Sequence, residues 1–170
     1  MRHESSRKTK AGVVVRALSY RTVFWIATFA LLGVRGAAAA DYSVGGYTFV
    51  LQQQAGRCVV TFTGAEHSGR LTLAPDPPCE FVRNESGALK YFKYDDVGID
   101  AVIIVTGSPL NDDEKRRWKI ADGLFCGNVS QALLVRPEGV LVSREIMRGG
   151  VVCATTGVDE KRFYQFAHPM

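Results

Sequence analysis

Cys126 is the side chain with the clearest capacity for chemistry. It stands in "DGLFCGNVSQALLV", residues 122–135, where a helix capped by Asn128 and running through Ala132 would set the thiol beside a helix N-terminus. The positive end of a helix dipole lowers a thiol pKa and favours the thiolate, the form that attacks a carbonyl carbon. His168, close to the C-terminus, is the available base, so one reading of the chain is a cysteine hydrolase of the cell envelope. The same cysteine has a competing use, because Cys58, Cys79 and Cys153 complete an even set of four. Of the three possible pairings, the neighbour pairing Cys58–Cys79 and Cys126–Cys153 is preferred; it closes loops of about 21 and 27 residues, each worth about 3 kcal/mol in a chain-entropy model. A disulfide there removes the nucleophile. Zinc is a third use, and no C-x-x-C spacing supports it.

The other reactive groups are isolated. Asp95, Asp96 and Asp100 in "DDVGID" lie close together, but calcium takes six or more oxygens from a loop denser in acids than this one, so solvated turn residues are expected. His67 and His168 are at metal-ligand spacing from no other candidate and read as solvated loop or terminal residues. Ser130 and Ser143 lack the flanking glycines of a nucleophile elbow. "SVGGY" and "RGGVV" have neither the spacing nor the lysine of a phosphate-cradling loop. No catalytic residue, cofactor or metal ligand is therefore assigned, and the four cysteines are read as structural.

Residues 107–123, "GSPLNDDEKRRWKIADG", carry a different signal. Asn111 and Glu114 have capping-box spacing, and Asp112, Asp113 and Glu114 precede Lys115, Arg116 and Arg117, the order that a helix dipole favours. Trp118 follows, and tryptophan beside arginine is the composition of binding hot spots. Arg116, Arg117 and Trp118 are the candidate partner-binding residues. The plainer expectation is a solvated turn whose Trp118 packs on the core.

The compartment decides which of these uses is open to the cysteines. Val23 to Val34 contains no charge, is too short to span a bilayer, and is preceded by six Arg and Lys residues and followed by Ala37–Ala40. That is the order of a secretory signal peptide, residues 1–40, with cleavage near Ala40. The first cysteine beyond it is Cys58, so a lipid-modified anchor is not expected and the product is read as having no stable membrane anchor, periplasmic or secreted. The formal net charge of +4 also changes sign: seven of the 21 Lys and Arg and one of the 17 Asp and Glu fall in the leader, leaving 14 against 16, or −2. The basic footprint of a nucleic-acid partner is then absent. An even cysteine count in an exported chain reads as two disulfides.

Residues 41–170 are one domain's length, without repeats or linkers. Two-residue alternation marks strands at Tyr47–Gln52 and Leu89–Tyr94, the β-branched apolar run Cys58–Thr63 between Gly56 and Gly64 marks another, and Leu71–Leu73 makes a shorter one. Between them "APDPPC" holds an extended connection into Cys79. "AVIIVT", 101–106, is apolar on both faces and reads as the central strand. "QALLV" and "VLVS" flank Arg136-Pro137-Glu138-Gly139 as a hairpin, and "GVVCAT" adds another strand. Asp159–Ala167 reads as a closing helix with Phe163, Phe166 and Ala167 along one side. The sum is a mainly β, α+β domain: an antiparallel sandwich or flattened barrel of about eight short strands, a C-terminal helix and two disulfides.

Two short resemblances fall within this frame. The segment after Cys126 resembles the cysteine-Ser-Gly segment of NlpC/P60-type cell-wall peptidases, which would imply a thiol nucleophile, but Gly127 and Asn128 follow the cysteine here. Ser86-Gly87-Ala88-Leu89-Lys90-Tyr91 resembles the Ser-Gly-x-x-Tyr loop of membrane-bound C-type periplasmic lysozyme inhibitors, with the tyrosine one place late. Neither assigns a family. The leading expectation is an exported binding protein that engages a protein or envelope ligand, for example as an inhibitor or immunity-type protein; a cysteine hydrolase using Cys126 and a structural envelope component are the alternatives.

Overall fold

The computed structural model describes residues 40–156 and 158–169, so the leader read at 1–40 lies outside them apart from Ala40. The first sheet is a four-stranded antiparallel meander of β1 (Asp41–Val44), β2 (Tyr47–Gln54), β3 (Arg57–Gly64) and β4 (Ser68–Thr72), in that order. Gly45 and Gly46 close the first hairpin with φ of 58° and 79°, the left-handed pair that a tight two-residue turn requires. Inward-facing Tyr47, Phe49, Val60 and Phe62 are buried, and the rings of Tyr47 and Phe62 meet edge to face at 5.8 Å.

The second sheet contains β5 (Glu80–Phe81), β6 (Tyr91–Tyr94), β7 (Ile99–Pro109), β8 (Cys126–Arg136) and β9 (Gly139–Cys153). Its order is β5-β7-β8-β9, all antiparallel, and β6 pairs with β7 beyond the end of β5. The two faces of this sheet explain the unbroken apolar run in β7. Ala101, Ile103 and Val105 point into a core shared with the first sheet. Val102 and Ile104 point the other way, into a second core closed by α2 (Glu160–Ala167), where Phe163 and Phe166 are buried. The layers are therefore sheet, sheet and helix. Asp159 caps α2 by accepting from the Lys161 N–H at 3.1 Å.

The architecture matches the expected mainly β fold, with both disulfides paired as Cys58–Cys79 and Cys126–Cys153. The strand count differs from about eight for identifiable reasons. β1 and β5 add two strands; "VLVS" and "GVVCAT", read as separate, are the two ends of the 15-residue β9. Two register shifts, opposite Gly127–Val129 and Gln131–Leu133, interrupt its pairing with β8 without ending it. At the second shift the buried Gln131 side chain accepts from the Ala74 N–H (2.8 Å) and donates to the Ser143 carbonyl (2.8 Å). The Ser143 hydroxyl accepts from the Ala132 N–H (3.0 Å) and donates to the Glu145 carbonyl (2.9 Å). Side chains thus replace ladder bonds where the strands fall out of step, as buried backbone groups require. Among the described residues no helix is long and apolar enough to cross a membrane.

Candidate functional site

The link between β7 and β8 is the most sharply defined surface feature. Inside it lies α1 (Asp112–Trp118). The capping box forms as its spacing predicts: Asn111 Oδ1 accepts from the Glu114 N–H and Glu114 Oε2 from the Asn111 N–H, both at 2.9 Å. Lys119 ends the helix in the left-handed conformation (φ 54°), and its N–H returns to the Arg116 carbonyl at 3.2 Å. No residue of α1 is buried.

What fixes the helix in place is its footing. Leu110, Cys126 and Cys153 form a small buried cluster, with Ile120, Leu124 and Val151 packed against it. The Cys126–Cys153 disulfide sits in that cluster and joins directly opposed positions of β8 and β9. The Leu110 N–H donates to the Cys126 carbonyl (3.1 Å), and the Ile120 N–H to the Lys115 carbonyl (2.9 Å). The loop is thus tied down on both sides of α1.

This footing leaves Arg116, Arg117, Trp118 and Lys119 exposed in a row. Trp118 is 55 % exposed, which corrects the expectation that it packs on the core: the loop packs inward through Leu110, Ile120 and Leu124 instead. Arg116 pairs with Asp113 one turn back. Among the described residues Arg117 and Lys119 form no ion pair. An exposed indole between unpaired cations can cover an apolar patch and meet carboxylates at its rim.

The structure corrects the catalytic reading. Residues 126–136 are strand β8, so Asn128 caps no helix, and Cys126 is consumed by the disulfide. His168 is engaged elsewhere: its Nε2 lies 2.8 Å from Asp96 Oδ2, its ring stacks on Tyr164 at 3.9 Å, and its side chain is only 18 % exposed. It is a docked residue and not the solvated terminal one expected. The Asp96 bond holds the imidazole pKa above its ordinary value, and His168 in turn lowers that of the Asp96 carboxyl. Burial, reinforced by Glu160 and Asp96, raises the Tyr94 phenol beside them.

The remaining candidates are also occupied. Lys93 bridges Asp95 (2.9 Å) and Asp100 (3.7 Å), and hydrogen bonding to Asp95 raises its pKa. Among the described residues no group of three or more His, Cys, Asp or Glu converges as metal ligands would. Ser143 is buried and committed to backbone partners, and His67 lies exposed in the β3–β4 turn. No protein-family model, curated protein or solved structure matches the chain.

Proposed function

We propose that the chain is an exported, disulfide-braced binding protein that works in the periplasm or outside the cell after removal of residues 1–40. It captures a protein or envelope partner through the α1 loop. The observation that carries this reading is Trp118: a large, half-exposed aromatic at the end of a capped helix whose neighbours Leu110 and Ile120 pack in the disulfide cluster, preceded by Arg116 and Arg117. Rigid presentation lowers the entropy lost on binding, and Trp with Arg supplies hot-spot energy. Two disulfides fit an oxidising compartment. An inhibitor or immunity-type protein acting on a cell-wall-active partner is the concrete form of this activity.

The test is affinity capture from periplasm or culture medium with the oxidised protein, in parallel with Arg117→Ala and Trp118→Ala. Both variants are expected to keep the wild-type melting temperature and to lose the partner by tenfold or more. Loss of fold and capture together would make Trp118 a packing residue and remove the proposal.

A further inference from the structure

The domain carries a second cationic surface, remote in sequence from α1, along the seam between strand β9 and helix α2. A groove of about 900 Å³ runs there, with apolar walls from Ile146, Met147 and Tyr164. It adjoins a smaller groove of about 340 Å³ beside Leu141, which is 51 % exposed. Five Arg and Lys residues line the two: Arg136, Arg144, Arg148, Lys161 and Arg162. The carboxylate among the lining residues is Glu145. Nearby, Glu138 lies 3.8 Å from Arg136, Asp96 is taken by His168, Asp159 caps α2 and Glu160 stands in its first turn. In residues 41–170, where acids outnumber bases, this concentration of cations is local.

Arg162 is the central group. Its guanidinium crosses from α2 to β9, where Nη1 reaches the Met147 sulfur at 3.6 Å. It lies flat enough on Gly150 that an added Cβ there would stand 2.5 Å from Nη2. Among the described residues it has no carboxylate partner. A guanidinium positioned by packing, without a counter-ion, is a preorganised receptor for a planar two-oxygen anion. We propose that the β9–α2 seam binds an acidic peptide segment of a protein partner, with Arg162 holding a carboxylate and Ile146, Met147 and Tyr164 receiving its apolar side chains. A peptide is favoured because the groove follows a strand: Leu141 to Arg148 spans roughly 20 Å, the reach of six or seven extended residues. Methionine at the wall suits varied apolar side chains. The inference goes beyond the α1 reading and does not depend on Trp118.

The probe is a fluorescein-labelled nonapeptide alternating glutamate and leucine, titrated with the oxidised protein and followed by anisotropy; its glutamine-leucine counterpart is the neutral control. Saturable binding of the acidic peptide is expected, at least tenfold tighter than the neutral one and weakened by salt. Arg162→Gln should lose tenfold or more. Gly150→Ala keeps every charge and displaces the guanidinium, so a loss of about fivefold is expected; Arg148→Gln, exposed on β9, provides a variant with no packing role. Arg57→Gln, at the start of β3, removes one charge elsewhere and should change affinity by less than twofold. Equal affinity for the two peptides, wild-type affinity in Arg162→Gln and Gly150→Ala, or an equal loss in Arg57→Gln would overturn the proposal. So would binding to anionic phospholipid vesicles without binding to the peptide, which would make the seam a membrane-facing surface.

Discussion

The two helices are nearly equal in length, seven residues in α1 and eight in α2, and each begins on a side-chain cap, Asn111 and Asp159. They differ in what lies beneath them. α2 buries Phe163, Phe166 and Ala167 and completes a core, whereas α1 buries nothing of its own. A seven-residue helix is too short to persist on propensity alone, so α1 relies on its capping box and on the anchors at Leu110, Ile120 and Leu124. The contrast teaches that burial marks the structural helix, while local bonds and a disulfide hold a helix whose side chains remain free for something else. The charged face of α2 is likewise free, along its seam with β9.

The comparison can be broken most forcefully at Phe163. Replacement by alanine empties a fully buried site and should cost about 3–5 kcal/mol, read as a lowered denaturation midpoint with all transitions still coincident. Replacing Cys126 and Cys153 together by alanine should cost about 3 kcal/mol globally. Amide exchange should then accelerate more in α1 than in α2, because the disulfide shares its cluster with Leu110 and Ile120, which flank α1, and with no residue of α2. Removing the cap with Asn111→Ala should cost about 1 kcal/mol locally, seen as fraying of α1 by amide exchange with the global midpoint almost unmoved. A global loss in that variant equal to that of Phe163→Ala would abolish the distinction.

The smallest effect expected is at the end of α2. His168 has a raised pKa in the folded protein, so its pairing with Asp96 stabilises fully below the ordinary histidine pKa and is lost as pH rises through the folded value. Asp96 has a lowered pKa, so its share is present above the ordinary carboxylate range and fades as pH falls through the folded value. The gap in melting temperature between wild type and His168→Gln should therefore be widest near pH 5.5 and shrink by about pH 8.5. A gap that does not vary with pH would assign His168 to stacking on Tyr164 alone.

Much of this arrangement was legible in the residues. The central strand, the Pro137-Glu138 hairpin, the closing helix, the capping box and the disulfide pairing all rest on local patterns that the fold preserves. The misses have particular causes. β1 is four residues long beside an alanine-rich run, too short for alternation to mark it ahead of the Gly45-Gly46 turn. β9 is continuous although its sequence reads as two strands, because at its second register shift the Gln131 and Ser143 side chains, from different strands, satisfy the backbone. Tryptophan is usually buried, and nothing local in the sequence reveals that Leu110, Ile120 and Leu124 pack inward while Trp118 stays exposed. The Arg162 receptor depends on contact with Gly150 and Met147 across two elements, which no spacing shows.

Whether a partner covers Trp118 can be read from the indole itself. The chain has two tryptophans, Trp25 and Trp118, and Trp25 falls within residues 1–40, so in a protein that begins at Asp41 Trp118 is the sole reporter. Acrylamide quenching of its fluorescence should be strong in the free protein and should fall severalfold when the captured partner is added. Strong quenching that persists unchanged in the complex would contradict the account, because the partner would then be bound elsewhere and the exposed indole would have no part in its recognition.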